Sequence, residues 1–240
     1  MKKYLKDLFT QQFGSFLIKQ GYTENKNSFV KFYDDIFARV YLTYHYDKNY
    51  DELQFDVIHS FTSLIFEIDT KCICDGDDDF SLSRMSNEEY IADATDKSDV
   101  TNCISRMFSK YSELYESFFS AKSISEYLDK YLIYDKSVCS GKEEIEETYN
   151  FMGLDFIYIY LYLKEYNSAE NEIEKYLQML NDLKTSVPVD YCKIREYETD
   201  ISYFENLKNA IISNDVNALK PEIDKMNDNI KINQTKLKTY

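Results

Sequence analysis

Leu5, Leu8, Phe9, Phe13, Phe16 and Leu17 recur at three- and four-residue steps, the spacing of one face of an amphipathic helix. Gly21 is placed to end that helix in a left-handed cap, and Asn25-Lys26-Asn27 marks a turn. From Ser28 the period changes to two. Phe29–Tyr33 is aromatic and β-branched, Asp34-Asp35 makes a turn, and Ile36–Tyr46 predicts a longer strand. Asp47–Glu52 is a further polar turn, Leu53–Ser60 alternates, and Ser63–Cys74 predicts a fourth strand. Strands joined by short polar turns predict an antiparallel meander, with the first helix packed on one face.

From Asp99 the pattern is helical to the end. Val100, Ile104, Met107, Phe108, Tyr111, Leu114, Tyr115 and Phe118 keep a 3.6 period, with Ser98 or Asp99 as N-cap. Ser123–Glu126 and Ser140–Glu143 read as capping boxes, each opening a helix; the second runs to about Tyr166. Phe156–Leu163 is apolar on every side, so periodicity alone leaves helix or strand open; its helical flanks favour a central, fully buried helix. Asn167-Ser168 breaks the chain before a helix at Ala169–Leu183. Pro188 sits where a first-turn proline belongs, and Leu219 with Pro221 leads into a last polar helix. The fold class predicted is α+β: a helix and an antiparallel sheet of about four strands, then a larger all-helical region of antiparallel hairpins. The divisions are 1–74, an acidic connector at 75–98, and 99–240, which could also pack as one domain with the first.

Charge changes this picture. The 240 residues carry 28 Lys+Arg against 43 Asp+Glu, a net −15, with 39 aromatics, no Trp, 5 Gly and 2 Pro. So aromatic a chain is not a disordered acidic tail, and the acidic balance argues against a nucleic-acid partner, which needs a surplus of Lys and Arg. The excess is uneven. Glu67–Asp99 holds eleven acids and three bases, and Glu143–Glu147 forms a second cluster, whereas residues 1–33 hold six bases and two acids. Asp75–Asp79 cannot be a strand, because like charges repel there; the segment 75–99 reads as a surface loop with one short helix near Asn87–Ala94.

Candidate chemistry is thin. Five cysteines, an odd number without C-x-x-C spacing, read as reduced and mostly buried thiols. Cys139 near Lys136 and Lys142 lacks a placed histidine. His45 and His59 both fall on predicted strands and could meet across a hairpin, with Asp47, Asp51 and Asp56 near in sequence; two ordinary sheet histidines is the stronger reading. Asp75-x-Asp77-x-Asp79 begins like a calcium loop, but Phe80 and Ser86 stand where that loop needs Gly and Glu. No Gly-rich phosphate loop and no Gly-x-Ser-x-Gly elbow occur. No cofactor, metal or catalytic residue is therefore expected. With no signal peptide and no apolar run of the roughly 20 residues a span requires, the chain reads as soluble and cytoplasmic.

Two resemblances add to this. Tyr149–Leu180 resembles one tetratricopeptide-type hairpin, joined by Glu165-Tyr166-Asn167-Ser168 with Ala169 opening the second helix. Phe13…Leu17-Ile18-Lys19-Gln20-Gly21-Tyr22…Asn27-Ser28-Phe29…Asp35…Val40-Tyr41-Leu42 resembles an uncharacterised bacterial α+β family found beside polymorphic toxins and regarded as immunity proteins. That family is basic around the turn, whereas Glu24 here stands beside a single Lys26. The resemblance implies an antitoxin and no catalytic residues. Together with the charge it leads to a non-enzymatic protein-binding protein that neutralises a basic toxin. Asp75, Asp77, Asp78, Asp79, Glu88, Glu89 and Asp93 are the expected partner-facing residues. The alternatives are a peptide-binding helical scaffold with a groove lined by Tyr158, Tyr162 and Tyr176, and an enzyme of unrecognised type.

Overall fold

The computed structural model describes residues 2–68, 79–139, 145–186 and 191–237. They form two compact units: 1–64 with 68–140, and 65–67 with 141–239. The helices following Asp96 as far as residue 139 therefore group with the sheet, and not with the later hairpins.

The first unit opens with helix α1 (Lys2–Lys19), followed by strands β1 (Thr23–Asn25), β2 (Ser28–Phe32), β3 (Ile36–Asp47) and β4 (Glu52–Ser63). These four run as an antiparallel meander. Leu5, Leu8, Phe9, Phe13 and Leu17 are buried on α1, as their spacing predicts. The helix ends at Gly21, whose φ of +86° is open to glycine at little cost. There the Tyr22 amide donates to the Leu17 carbonyl at 3.0 Å. We expect Gly21→Ala to lower stability by about 1 kcal/mol, read as a lower urea midpoint with an unchanged slope.

The fourth strand expected at Ser63–Cys74 does not form where the chain is described. β4 continues to Ser63, and residues 64–66 turn away, held where the Leu64 amide donates to the Asp35 carbonyl at 2.8 Å; residues 69–74 lie outside the described residues. The remaining sheet positions go to the acidic segment read as a loop. β5 (Asp79–Ser81) pairs with Ser60–Ile58 and β6 (Tyr90–Asp93) with Phe55–Glu52, end to end along the same side of β4. Between them lies α2 (Leu82–Ser86), so the short helix precedes the place expected for it, and 90–93 is strand.

Helix α3 (Lys97–Leu114) starts at the Asp96 cap, two to three residues before the cap expected, because the Asp96 carboxylate takes the Ser98 amide at 2.7 Å. It runs into a π-helical turn, Tyr115–Phe119, and then α4 (Ile124–Cys139). The wide π turn keeps positions 111, 115 and 119 on one side, and all three rings reach the core histidine His59. Lys130 closes the end of that turn, donating to the Glu116 and Ser117 carbonyls. The Ser123–Glu126 box forms in part: Ser123 Oγ takes the Glu126 amide at 3.3 Å, while the Glu126 carboxylate takes the Lys122 amide, one residue before the cap.

Helices α1 and α3 lie over the sheet face carrying Phe29, Ala38, Val40, Val57, His59 and Phe61. Phe13 touches Phe9, Phe108 and Tyr111 with ring centroids 4.7–5.4 Å apart. Gly14 permits close approach, since a Cβ there would meet Phe29 Cζ at 3.3 Å.

The second unit is two helical hairpins, α5 (Ile145–Tyr162) with α6 (Tyr166–Ser186), and α7 (Tyr191–Ile212) with α8 (Val216–Leu237). Phe156–Leu163 is helical through Tyr162, but not buried all round: Ile157, Ile159 and Leu161 are enclosed while Phe156, Tyr158, Tyr160 and Tyr162 are half-buried. The second hairpin repeats the first 50 positions later. Leu163, Lys164 and Glu165 donate to Ile159, Leu161 and Tyr160; Ser213, Asn214 and Asp215 donate to Asn209, Ile211 and Ala210. Lys164 and Asn214 share a φ of +60° and +54°. Buried Ile157, Leu161 and Ala169 correspond to buried Leu207, Ile211 and Leu219. The last helix begins at Val216, ahead of Pro221, because Asp215 Oδ1 caps the Asn217 and Ala218 amides. Pro221 thus stands inside α8, where the Asn217 carbonyl loses its usual donor. The Ser140–Glu143 box and Pro188 lie outside the described residues.

Candidate functional site

The acidic segment is built onto the edge of the sheet. Asp56, on β4, organises its start: one carboxylate oxygen takes the Ser83 amide at 3.0 Å, and the other takes the hydroxyls of Ser83 and Ser81. Ser81 Oγ in turn takes the Arg84 amide. Asn87 ends α2 in the left-handed region, at φ +53°, and the Glu88 amide returns to the Ser83 carbonyl at 3.2 Å. That turn leaves Glu88 and Glu89 exposed, immediately before buried Tyr90 enters β6 opposite Phe55.

Asp93, Asp96 and Asp99 are also exposed but serve the backbone. Asp93 Oδ1 takes the amide and the hydroxyl of Thr95 at 2.7 and 2.6 Å, and these bonds hold its carboxyl below the usual range. Asp99 takes the Asp93 amide at 2.8 Å. Of the seven expected partner-facing residues, Glu88 and Glu89 share one turn, and Asp93 closes the far end of β6. Asp79 starts β5, its backbone opposite Ser60, while Asp93 stands opposite Glu52. Eight residues of β4 separate those partners, about 26 Å at strand rise. Among the described residues the acids therefore spread along an edge and do not form a compact cluster. Asp75, Asp77 and Asp78 lie outside the described residues. Acids along an edge also discourage strand-to-strand association.

The two histidines do not meet. His59 pairs with Val40 and faces the covered side, whereas His45 pairs with Gln54 five positions further along β3, on the opposite face, and is exposed. His59 is fully enclosed. Its Nε2 lies 3.0 Å from the Tyr22 hydroxyl and its Nδ1 3.0 Å from that of Tyr111, and it stacks on Phe61 and Phe119. Burial, with Lys130 nearby, pushes its pKa down to about 3. The imidazole is thus neutral, one nitrogen donating and the other accepting. Burial likewise raises the Tyr22 and Tyr111 hydroxyls. A sealed ring of this kind ties Tyr22 of the β1 approach and Tyr111 of α3 to β4. The alternation of Leu53, Phe55 and Val57 with polar neighbours carried the signal for its burial.

The tyrosines expected to line a peptide groove, Tyr158, Tyr162 and Tyr176, are half-buried in the second unit. The Tyr158 hydroxyl lies 3.4 Å from that of Tyr203, and the Tyr176 ring sits 4.9 Å from Phe204. Cys103 is buried, which raises its thiol pKa. Among the described residues no three His, Cys, Asp or Glu side chains converge as metal ligands, and no helix is long and apolar enough to cross a membrane. No family model matches the chain, and neither a curated protein nor a solved structure does.

Proposed function

We propose that this chain is a non-enzymatic protein-binding protein that holds a basic protein partner along the β5–α2–β6 edge. The supporting observation is the set of exposed acids on that edge, Glu88, Glu89 and Asp93, with Asp75–Asp79 preceding them in sequence. A surface dense in one sign of charge raises the rate of encounter with its opposite. The N-terminal likeness to toxin-associated immunity proteins narrows the reading. The partner is a bacterial toxin with a basic cleft, and neutralisation takes place in the cytoplasm.

Co-expression with a secreted toxin encoded beside this gene, where one is found, tests the reading. The wild-type chain restores growth and co-purifies with the toxin. A variant with Asp75, Asp77, Asp78 and Asp79 changed to Ser and with Glu88→Gln and Glu89→Gln binds about tenfold more weakly or worse, and the loss is largest at low salt. Failure of the wild-type chain to bind any adjacent toxin refutes the function. Equal rescue and equal affinity for the variant refutes the site.

A further inference from the structure

The acidic total conceals a basic cleft. Lys2, Lys3 and Lys6 of α1, Asn27 of the β1–β2 turn, and Leu42 and Tyr44 of β3 surround a cavity of about 430 Å³, with Leu5 and Phe9 as its remaining lining. That volume falls within the ~300–1,000 Å³ typical of small-molecule sites. The sequence explains why the cleft forms. Leu5 and Phe9, one helical turn apart, are buried, while Lys2 and Lys6 keep the same spacing beside them. Leu42 and Tyr44 are alternate positions on the covered face of β3, and Tyr44 is still 36% exposed. The sheet supplies an apolar wall, and the helix supplies a cationic rim.

Nothing of opposite sign lines the cavity. Asp7 and Glu24 are the two acids of residues 1–33, and neither borders it. Lys2, Lys3 and Lys6 make no ion pair among the described residues. The opening turn of α1 carries no acidic residue. A rim of like charges with no acid among them favours an anion in the space between.

We infer that this cleft binds a small aromatic organic phosphate, with a 5′-mononucleotide as the simplest representative. A phosphate dianion matches a rim of several ammonium point charges. The exposed ring of Tyr44 offers a stacking surface, and half-buried Leu42 offers apolar contact to a flat body. The Asn27 carboxamide both donates and accepts, which suits the polar edge of a heterocycle. A simple acyl carboxylate would answer one charge and leave Asn27 and Tyr44 unused. The site lies apart from the acidic edge and does not depend on the partner proposed there.

Titration calorimetry on the full chain tests this with AMP, GMP, CMP and UMP, and with adenosine and inorganic phosphate as the two halves. At least one mononucleotide binds about tenfold or more tightly than either half. The double variant Lys3→Gln, Lys6→Gln loses about tenfold or more of that affinity with an unchanged thermal melt, and Tyr44→Ala weakens the nucleotide but not phosphate. Absence of binding by all four nucleotides overturns the site. Binding that both variants leave intact places the ligand elsewhere and overturns it as well. Equal affinity for phosphate and nucleotide overturns the aromatic part, leaving a bare anion site.

Discussion

Replacing Phe13 by alanine lowers the unfolding free energy of the first unit by about 3–5 kcal/mol. The side chain has no solvent exposure and sits where α1 meets α3: Phe9 is on its own helix, and Phe108 and Tyr111 are on α3. Truncation removes the ring from water-free contact with both and leaves a void. Its neighbours are themselves large rings held by other contacts, Phe108 by Phe16 and Tyr111 by Phe119, so the gap closes poorly. A domain of ordinary stability has about 5–15 kcal/mol in all, so the variant sits near the limit of folding. Urea denaturation followed by circular dichroism gives the value. A loss under about 1 kcal/mol would show that α1 and α3 are not packed through this ring.

The second large effect is a loss of stability in acid that depends on His59. In the folded chain the imidazole takes its proton only near a pKa of about 3, whereas in the unfolded chain it does so near about 6.5. Between those two pH values the unfolded state binds a proton that the folded state refuses. Stability from this group is therefore complete above about pH 6.5 and is lost progressively as pH falls toward 3. From pH 7 to pH 4 the loss amounts to about 3 kcal/mol. His59→Gln keeps a donor and an acceptor for Tyr22 and Tyr111 but does not titrate. It is less stable than wild type at neutral pH, because the stacked ring is gone. The gap between the two proteins then narrows by about 3 kcal/mol on acidification to pH 4. Carboxylates common to both proteins cancel in that comparison. Parallel stability curves for the two proteins would contradict a buried neutral histidine.

Much of the first unit was legible because period and burial agreed. The Leu5–Leu17 stripe, the alternation through β3 and β4, and the Gly21 stop each correspond to a physical requirement met in the structure. β5 and β6 were not legible. Each is three or four residues long, too short for alternation to register, and both lie within a run of acids that argues against strand. They form because β4 presents a side not taken by β3, along Glu52–Ser60, to them. The strand expected at Ser63–Cys74 had alternation in its favour, but the chain turns at 64–66 instead. The repeated hairpin was hidden for a different reason. Lys164 and Asn214 share a backbone conformation and a bonding pattern, but not a residue type. At the candidate sites, sequence placed the acids and the N-terminal lysines correctly along the chain. Only the fold could show that the acids stretch along an edge, that the lysines close around a cavity, and that His45 and His59 lie on opposite faces.

The claim at the centre of this account is that the acidic edge carries binding to a basic partner. The measurement that addresses it most directly is the partner's Kd for the wild-type chain and for the six-acid variant, at about 0.05 M and about 0.3 M salt. The account predicts that the wild-type complex weakens steeply with salt, that the variant is weaker by about tenfold or more at low salt, and that the two converge at high salt. Identical affinities with identical salt dependence would contradict it.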